Sequence, residues 1–412
     1  MGCSVCPLGW APLMRSTRMA LGPVLPVAPF PTVPITMSRR FVHIDAAKVV
    51  ASHLIVLHHF ATYGPLADAL HGEWPEGSDW LFGYARMAVQ VFLVIGGYFA
   101  ASSLAPHGLF QRDYPWRGIV QRWVRLVPPF AAAMLLAMAC SAIARQWLDA
   151  DFIPAAPALG QLLAHLGLAH GVLGVEPLSA GIWYVAIDFQ LFALMSFVLW
   201  VGGARAKTLV FLLMLASLFV FNRLPRWDNW APYFFGAYAM GAFAWWAGHS
   251  RHAGRWMTLL ALCGLAALLW DWRLRIALAL GLALWLGIAR RRLAKGTWRL
   301  QWPVWLEQTV RVLGRSSYAL FLVHFAVLML ANATWSEWLE DAGLDPLEML
   351  AGAWLACVGV ALAFERWVER PLARLQLPQG QPRQPAPAPR EAGGPVSAQR
   401  SKQNLAYRPR QT

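Results

Sequence analysis

Charge is what this sequence has least of. Only 14% of its 412 residues are Asp, Glu, Lys or Arg, against about 25% in an ordinary soluble domain. So sparse a charge cannot solvate the surface of a soluble globule, and 58% of the residues are hydrophobic, with 23 Trp. The chain therefore reads as an integral membrane protein. Cysteine is also scarce. Cys3 and Cys6 form a lone CxxC in a Pro-rich leader, while Cys140, Cys263 and Cys357 stand singly in apolar segments. That pattern excludes a disulfide framework or cysteine metal centre, and the last three read as small buried apolar residues. Acidic residues are short, and the net charge is +14. The excess base sits in short loops between apolar segments, as in a membrane protein with a basic cytoplasmic face, so nucleic acid is not expected as a partner.

What the chain has is long apolar runs. Segments able to cross a hydrocarbon layer about 30 Å thick lie near 45–63, 85–104, 128–147, 182–202, 207–222, 231–248, 256–271, 273–289, 316–334 and 347–367. This predicts an all-α integral membrane protein of about ten transmembrane helices. A shorter apolar stretch, 158–174, contains His165 and His170 and reads as an interfacial or re-entrant helix. Acidic residues such as Asp68, Glu73, Glu76 and Asp79 occupy the loops after odd-numbered spans. Arg112, Arg117, Arg205, Lys207 and the run Arg290 to Arg292 occupy those after even ones. That asymmetry puts both termini in the cytoplasm, with Arg223 and Arg226 as a mild exception. Residues 1–40 read as a disordered leader or non-native extension, with Met37 a natural start; 41–375 read as the transmembrane domain, and 376–412 as a disordered basic tail rich in Pro and Gln.

The first span carries a polar stripe. At about 100° per residue, Lys48 and His59 return to nearly one face, with Asp45, Ser52 and Tyr63 within roughly 60° of it. Ionisable groups inside a bilayer are costly and usually mark function. His53 and His58 point elsewhere, and no Cys or carboxylate completes a set with them, so no metal site is expected.

Three further motifs follow. Val91 to Tyr98 contains Gly96-Gly97, Arg122-Trp-Val-Arg125 precedes Pro128, and Trp183 is followed by Asp188, Gln190 and Phe192. Gly97 alone reads as close helix packing, and Arg122 and Arg125 alone as a positive-inside anchor. A late span adds Ser316-Ser317-Tyr318 and His324. In order and spacing these resemble the acyltransferase-3 family, the bacterial membrane O-acyltransferases that modify cell-envelope glycans. The family's first span has a basic residue, ten residues, then an essential His. Lys48 and His59 match it with Lys for Arg, and Asp45 matches an aspartate three before. Gly96 stands where the family has Ser, and Asp188 where it has Glu.

The resemblance implies catalytic roles for His59, Asp188 and Lys48, and substrate contacts for Arg122, Arg125, Asp45, Trp183, Gln190 and His324. It implies no bound cofactor. The donor would be cytoplasmic acyl-CoA, acetyl-CoA foremost, and the acceptor a cell-envelope glycan or glycolipid, at the lipid of a bacterial inner membrane. His59 suits a general base. It lies about fourteen residues into its span, or about 20 Å from the cytoplasmic end. Counted from the outer end, Asp188 falls at a similar depth, which predicts that it orients His59. A multi-span transporter or flippase of envelope precursors fits the spans and the stripe equally well.

Overall fold

The computed structural model describes residues 42–297 and 302–374. The expected leader and tail lie outside the described residues. Within them the fold is built of helices, with no strand. The first four are α1 (Val42–Phe60), α2 (Pro65–Glu73), α3 (Pro75–Tyr84) and α4 (Val89–Leu104). Then come α5 (Pro115–Ala144), α6 (Leu159–Leu166), α7 (Trp183–Gly202), α8 (Ala206–Phe219) and α9 (Ala231–His249). The last five are α10 (Ala253–Trp270), α11 (Leu274–Ala294), α12 (Val304–Thr334), α13 (Pro346–Phe364) and α14 (Arg370–Ala373).

A helix covers each apolar segment, but six helical stretches are long and apolar enough to cross a membrane. One of the six, Trp183–Arg223, joins α7 and α8. α1, α9 and α11 fall outside the six, and their sequences explain it. α1 carries the polar stripe, α9 is rich in Gly, Tyr and Trp, and α11 ends in three consecutive Arg. α9 is nevertheless buried along almost its whole length. Apolar on every side, it occupies the centre of the bundle, against α4, α8, α10 and α11.

Small residues make that central packing possible. A Cβ on Gly97 of α4 would stand 1.7 Å from the Tyr238 carbonyl oxygen, and one on Gly241 of α9 would stand 1.9 Å from that of Val94. The two backbones are in contact, the geometry that paired glycines permit. Gly97→Val should therefore cost at least about 3 kcal/mol through overpacking. The check is detergent-extracted yield and thermal stability against Gly72→Ala, a site with open space around it; equal stability of the two would show that α4 and α9 do not rely on this contact.

Two features place the site. α1 and α12 run parallel, and their partners advance together: Lys48 Nζ donates to the Gly314 carbonyl at 3.1 Å, His59 meets His324, and the Leu66 N–H donates to Asn332 Oδ1 at 3.0 Å. The polar face of α1 is thus turned onto α12, inside protein. The 154–182 segment, in turn, re-enters the bundle. Its start is tied to the far end of α5, where Ser141 Oγ donates to the Pro154 carbonyl at 2.5 Å. By Leu166 its carbonyl accepts from Trp123 Nε1 at 3.1 Å. Trp123 lies eighteen residues before Ser141, about 27 Å along α5. The chain reverses at Leu168, whose φ of 54° is uncommon for a residue with a side chain. His165 holds the fold of this segment: Nδ1 donates to the Gln161 carbonyl at 2.7 Å, and Nε2 accepts from the Leu178 N–H at 3.3 Å.

Candidate functional site

Two cavities lie toward opposite ends of the bundle. The first, about 700 Å3, is at the end where α1 begins, and Lys48, Arg122, Arg125 and Arg315 line it with Asp188, Glu365 and Glu369. α5 starts at Pro115, well before the expected 128, and carries both Arg122 and Arg125. Val, Trp, Ile and Leu interleave with the arginines there and keep the turns amphipathic. Arg122 Nη2 is ion-paired to Asp188 Oδ2, and its guanidinium lies 5.3 Å from the Phe192 ring centre. Its Nε is buried and finds no acceptor among the described residues. Lys48 is held by Asp45 at 2.7 Å. Arg125 and Arg315 are exposed and make no ion pair among the described residues. The rings of Tyr184, Tyr238 and Tyr318 complete the wall. Gly96 also lines it, where a Cβ would stand 3.0 Å from Tyr238 and 3.6 Å from Asp188 Oδ1. A hydroxyl at 96 would thus abut Asp188.

The second cavity, about 650 Å3, is at the end where α1 finishes. His58, His59, Tyr63, Trp183, Tyr233 and Arg275 are among its lining residues. Phe321 of α12 belongs to both walls, and among the described residues it alone does so.

Beside that shared ring is a pair of imidazoles, His59 Nδ1 to His324 Nε2 at 2.7 Å. Their tautomers follow from one carbonyl. His324 Nδ1 lies 3.1 Å from the Leu320 carbonyl oxygen, which can only accept, so Nδ1 carries the proton. His324 Nε2 is then the acceptor and His59 Nδ1 the donor. This leaves His59 Nε2 as the lone-pair nitrogen of a residue that lines the second cavity. Gly181, brought in by the re-entrant segment, closes on this pair, since a Cβ there would lie 3.1 Å from His324 Cε1.

Several expectations are corrected by these partners. Asp188 does not orient His59; it holds Arg122, and His324 holds His59. The cause is the re-entrant segment: α7 starts from inside the bundle, so residues counted from its first turn do not measure depth from the outer face. His324 lines neither cavity and touches His59 instead of a substrate space. Gln190 lines neither as well. It accepts from the Ala231 N–H at 3.1 Å and donates to the Asn229 carbonyl at 3.3 Å, so it fixes the start of α9. Asp45 packs against Gly314 and pairs with Lys48, outside both walls. Lys48 lines the first cavity and His59 the second, so the spacing that joins them in sequence divides them between two spaces. Trp183, Arg122 and Arg125 line cavities. The expected site did not include Phe321, Gly181 or Arg86. Gly181 lies two residues before Trp183, and Phe321 lies one turn before His324, but nothing in their residue types marks them.

The acyltransferase domain model of the acyltransferase-3 family matches residues 41–365. The chain belongs to this family. Neither a curated protein nor a solved structure matches it. As an acyltransferase-3 domain, the chain is a membrane acyltransferase. Every group described above lies inside the matched range except Glu369.

Proposed function

We propose that this chain transfers an acyl group, acetyl foremost, from acyl-CoA in the first cavity to a hydroxyl of a cell-envelope glycan in the second. The observation that carries the proposal is the His59–His324 pair beside Phe321, the residue common to both cavity walls. His59 Nε2 takes the proton of the acceptor hydroxyl, and the oxygen attacks the thioester carbonyl. The new C–O bond forms as the C–S bond breaks, and the proton passes to the departing thiolate. His324 Nε2 accepts the Nδ1–H bond throughout, holding the ring and supporting the imidazolium as it forms, the part a carboxylate plays in other His-based catalysts. Arg125 and Arg315 at the mouth of the first cavity suit the phosphates of coenzyme A, and Arg122 brings an unused Nε donor deeper in.

In this proposal all ten apolar segments span, both termini are cytoplasmic, and the protein is a multi-pass component of the bacterial inner membrane. The acidic loops then face outward and the first cavity opens to the cytoplasm, where acyl-CoA is made. The test is consumption of labelled acetyl-CoA by the purified chain in detergent with an envelope glycan acceptor. A transporter would consume none. Arg125→Glu should raise the KM for acyl-CoA about tenfold, the effect of one charged contact reversed, and leave kcat little changed. An unchanged KM would remove Arg125 from donor binding.

A further inference from the structure

Three arginines converge on the second cavity: Arg86, in the turn before α4, and Arg273 and Arg275, at the start of α11. Asp228 is the one carboxylate beside them in the wall. Two of the guanidinium groups are fixed by the scaffold. Arg273 Nε donates to Asp271 at 2.7 Å and Nη1 to the Asn222 carbonyl at 3.1 Å. Arg275 Nη1 donates to the Tyr233 hydroxyl at 2.6 Å, Nη2 donates to the Asn222 carbonyl at 2.9 Å, and the group lies 4.8 Å from the Tyr233 ring centre. Arg86 is exposed and makes no ion pair among the described residues.

This basic cluster stands at the end of the bundle where the loops are otherwise acidic. Arg223, the exception in the loop charges, belongs to it, because it ion-pairs Asp271 just behind the cavity. With Arg273 bonded to it and Arg223 close by, the Asp271 carboxyl sits below its ordinary pKa. Basic residues are disfavoured on the translocated side of a membrane protein. Here they are gathered around a polar space that also contains His59, with Trp183, Tyr63 and Tyr233 as aromatic walls. Forked guanidinium groups around a cavity match the planar or tetrahedral oxygens of carboxylates and phosphates.

We infer that the acceptor taken by the second cavity is an anionic glycan, carrying a carboxylate or phosphate group near the hydroxyl that is acylated. This rests on the acyltransfer reading, and it is tested so that the two can fail separately.

The full chain in detergent is titrated with three oligosaccharides of equal length: an oligogalacturonate, a phosphate-linked oligomannose and a neutral oligogalactose. Binding is followed by calorimetry and acyl transfer by label from acetyl-CoA. One charged oligosaccharide is expected to bind at least about tenfold tighter than the neutral one, and the preference should shrink as salt rises. Which charged member wins distinguishes a uronic acid from a phosphate. Arg86→Gln should remove about tenfold of that affinity, and Arg86→Lys should restore part of it. Arg86 is exposed, so neither variant threatens folding. Equal affinity for neutral and charged oligosaccharides, no binding of the charged ones, or an indifferent Arg86→Gln each overturns the inference. Transfer to a neutral acceptor bound equally well would leave the acyltransferase reading standing. Tight anion binding without transfer would sink that reading and the acceptor role with it, and leave the second cavity as a site for anionic glycans.

Discussion

His59→Ala should lower acyl transfer by about 10²- to 10⁴-fold, the usual contribution of a positioned general base, without loss of membrane abundance. His59 Nε2 is the basic nitrogen only because His324 Nε2 takes the Nδ1 proton's hydrogen bond, and His324 does so only because its own Nδ1 is committed to the Leu320 carbonyl. The chain of hydrogen bonds therefore predicts an order among variants. His324→Gln, whose amide oxygen can accept from His59, should keep more activity than His324→Phe, which leaves the imidazole free to take either tautomer. The measurement is labelled acetyl transfer at saturating acetyl-CoA, so that donor affinity does not enter. Full activity in His59→Ala would remove the base. Equal loss in the two His324 variants would show that His324 serves packing alone.

Asp188→Ala should destabilise the fold. Asp188 is 6% exposed and Arg122 is its partner, so removing the carboxylate strands a guanidinium inside the bundle. Breaking a fully buried pair costs about 3 kcal/mol or more; the Arg122 side chain keeps 26% of its surface exposed, so about 1–3 kcal/mol is expected here. Arg122→Met combined with Asp188→Leu removes both charges and should recover much of that stability, since apolar replacements of a buried pair are well tolerated. It should not recover donor binding, because the Nε donor disappears with Arg122. Thermal stability in detergent and the KM for acyl-CoA separate the two effects. A double variant as unstable as Asp188→Ala would mean that the site depends on the side-chain shapes and not on charge pairing.

Much of the helical architecture was legible from apolar length alone, and the polar stripe of α1 was legible from periodicity. Periodicity says which residues share a face, but not what that face meets. Lys48 meets Gly314 and His59 meets His324 across more than 260 residues of chain, and no local rule links those positions. The late His324 was visible as a motif, yet its role as the partner of His59 needed the parallel packing of α1 on α12. Depth was the weakest inference. Asp188 was placed near His59 by counting residues from an end of α7 that does not begin at a membrane face. Arg122 and Arg125 read alone as a positive-inside anchor, and only the packing of α5 on α7 shows that Arg122 turns inward to Asp188. Arg223 and Arg226 stand out as an irregularity in loop charge, but Arg273 and Arg275 do not, and these two belong to a cavity wall whose existence no single turn reveals.

The shared wall has a consequence for the membrane itself. Two water-accessible chambers approach each other until a single aromatic side chain, Phe321, is common to both. In the proposed topology Phe321 then stands between the two compartments, where the surrounding lipid provides about 30 Å of hydrocarbon. In the proposed reaction the acyl group alone passes this point, while its carrier, the acceptor and solvated ions stay on their own sides. The energetic barrier to permeation is thereby concentrated in one apolar seal, and the selectivity of the exchange becomes a matter of what can pass beside it.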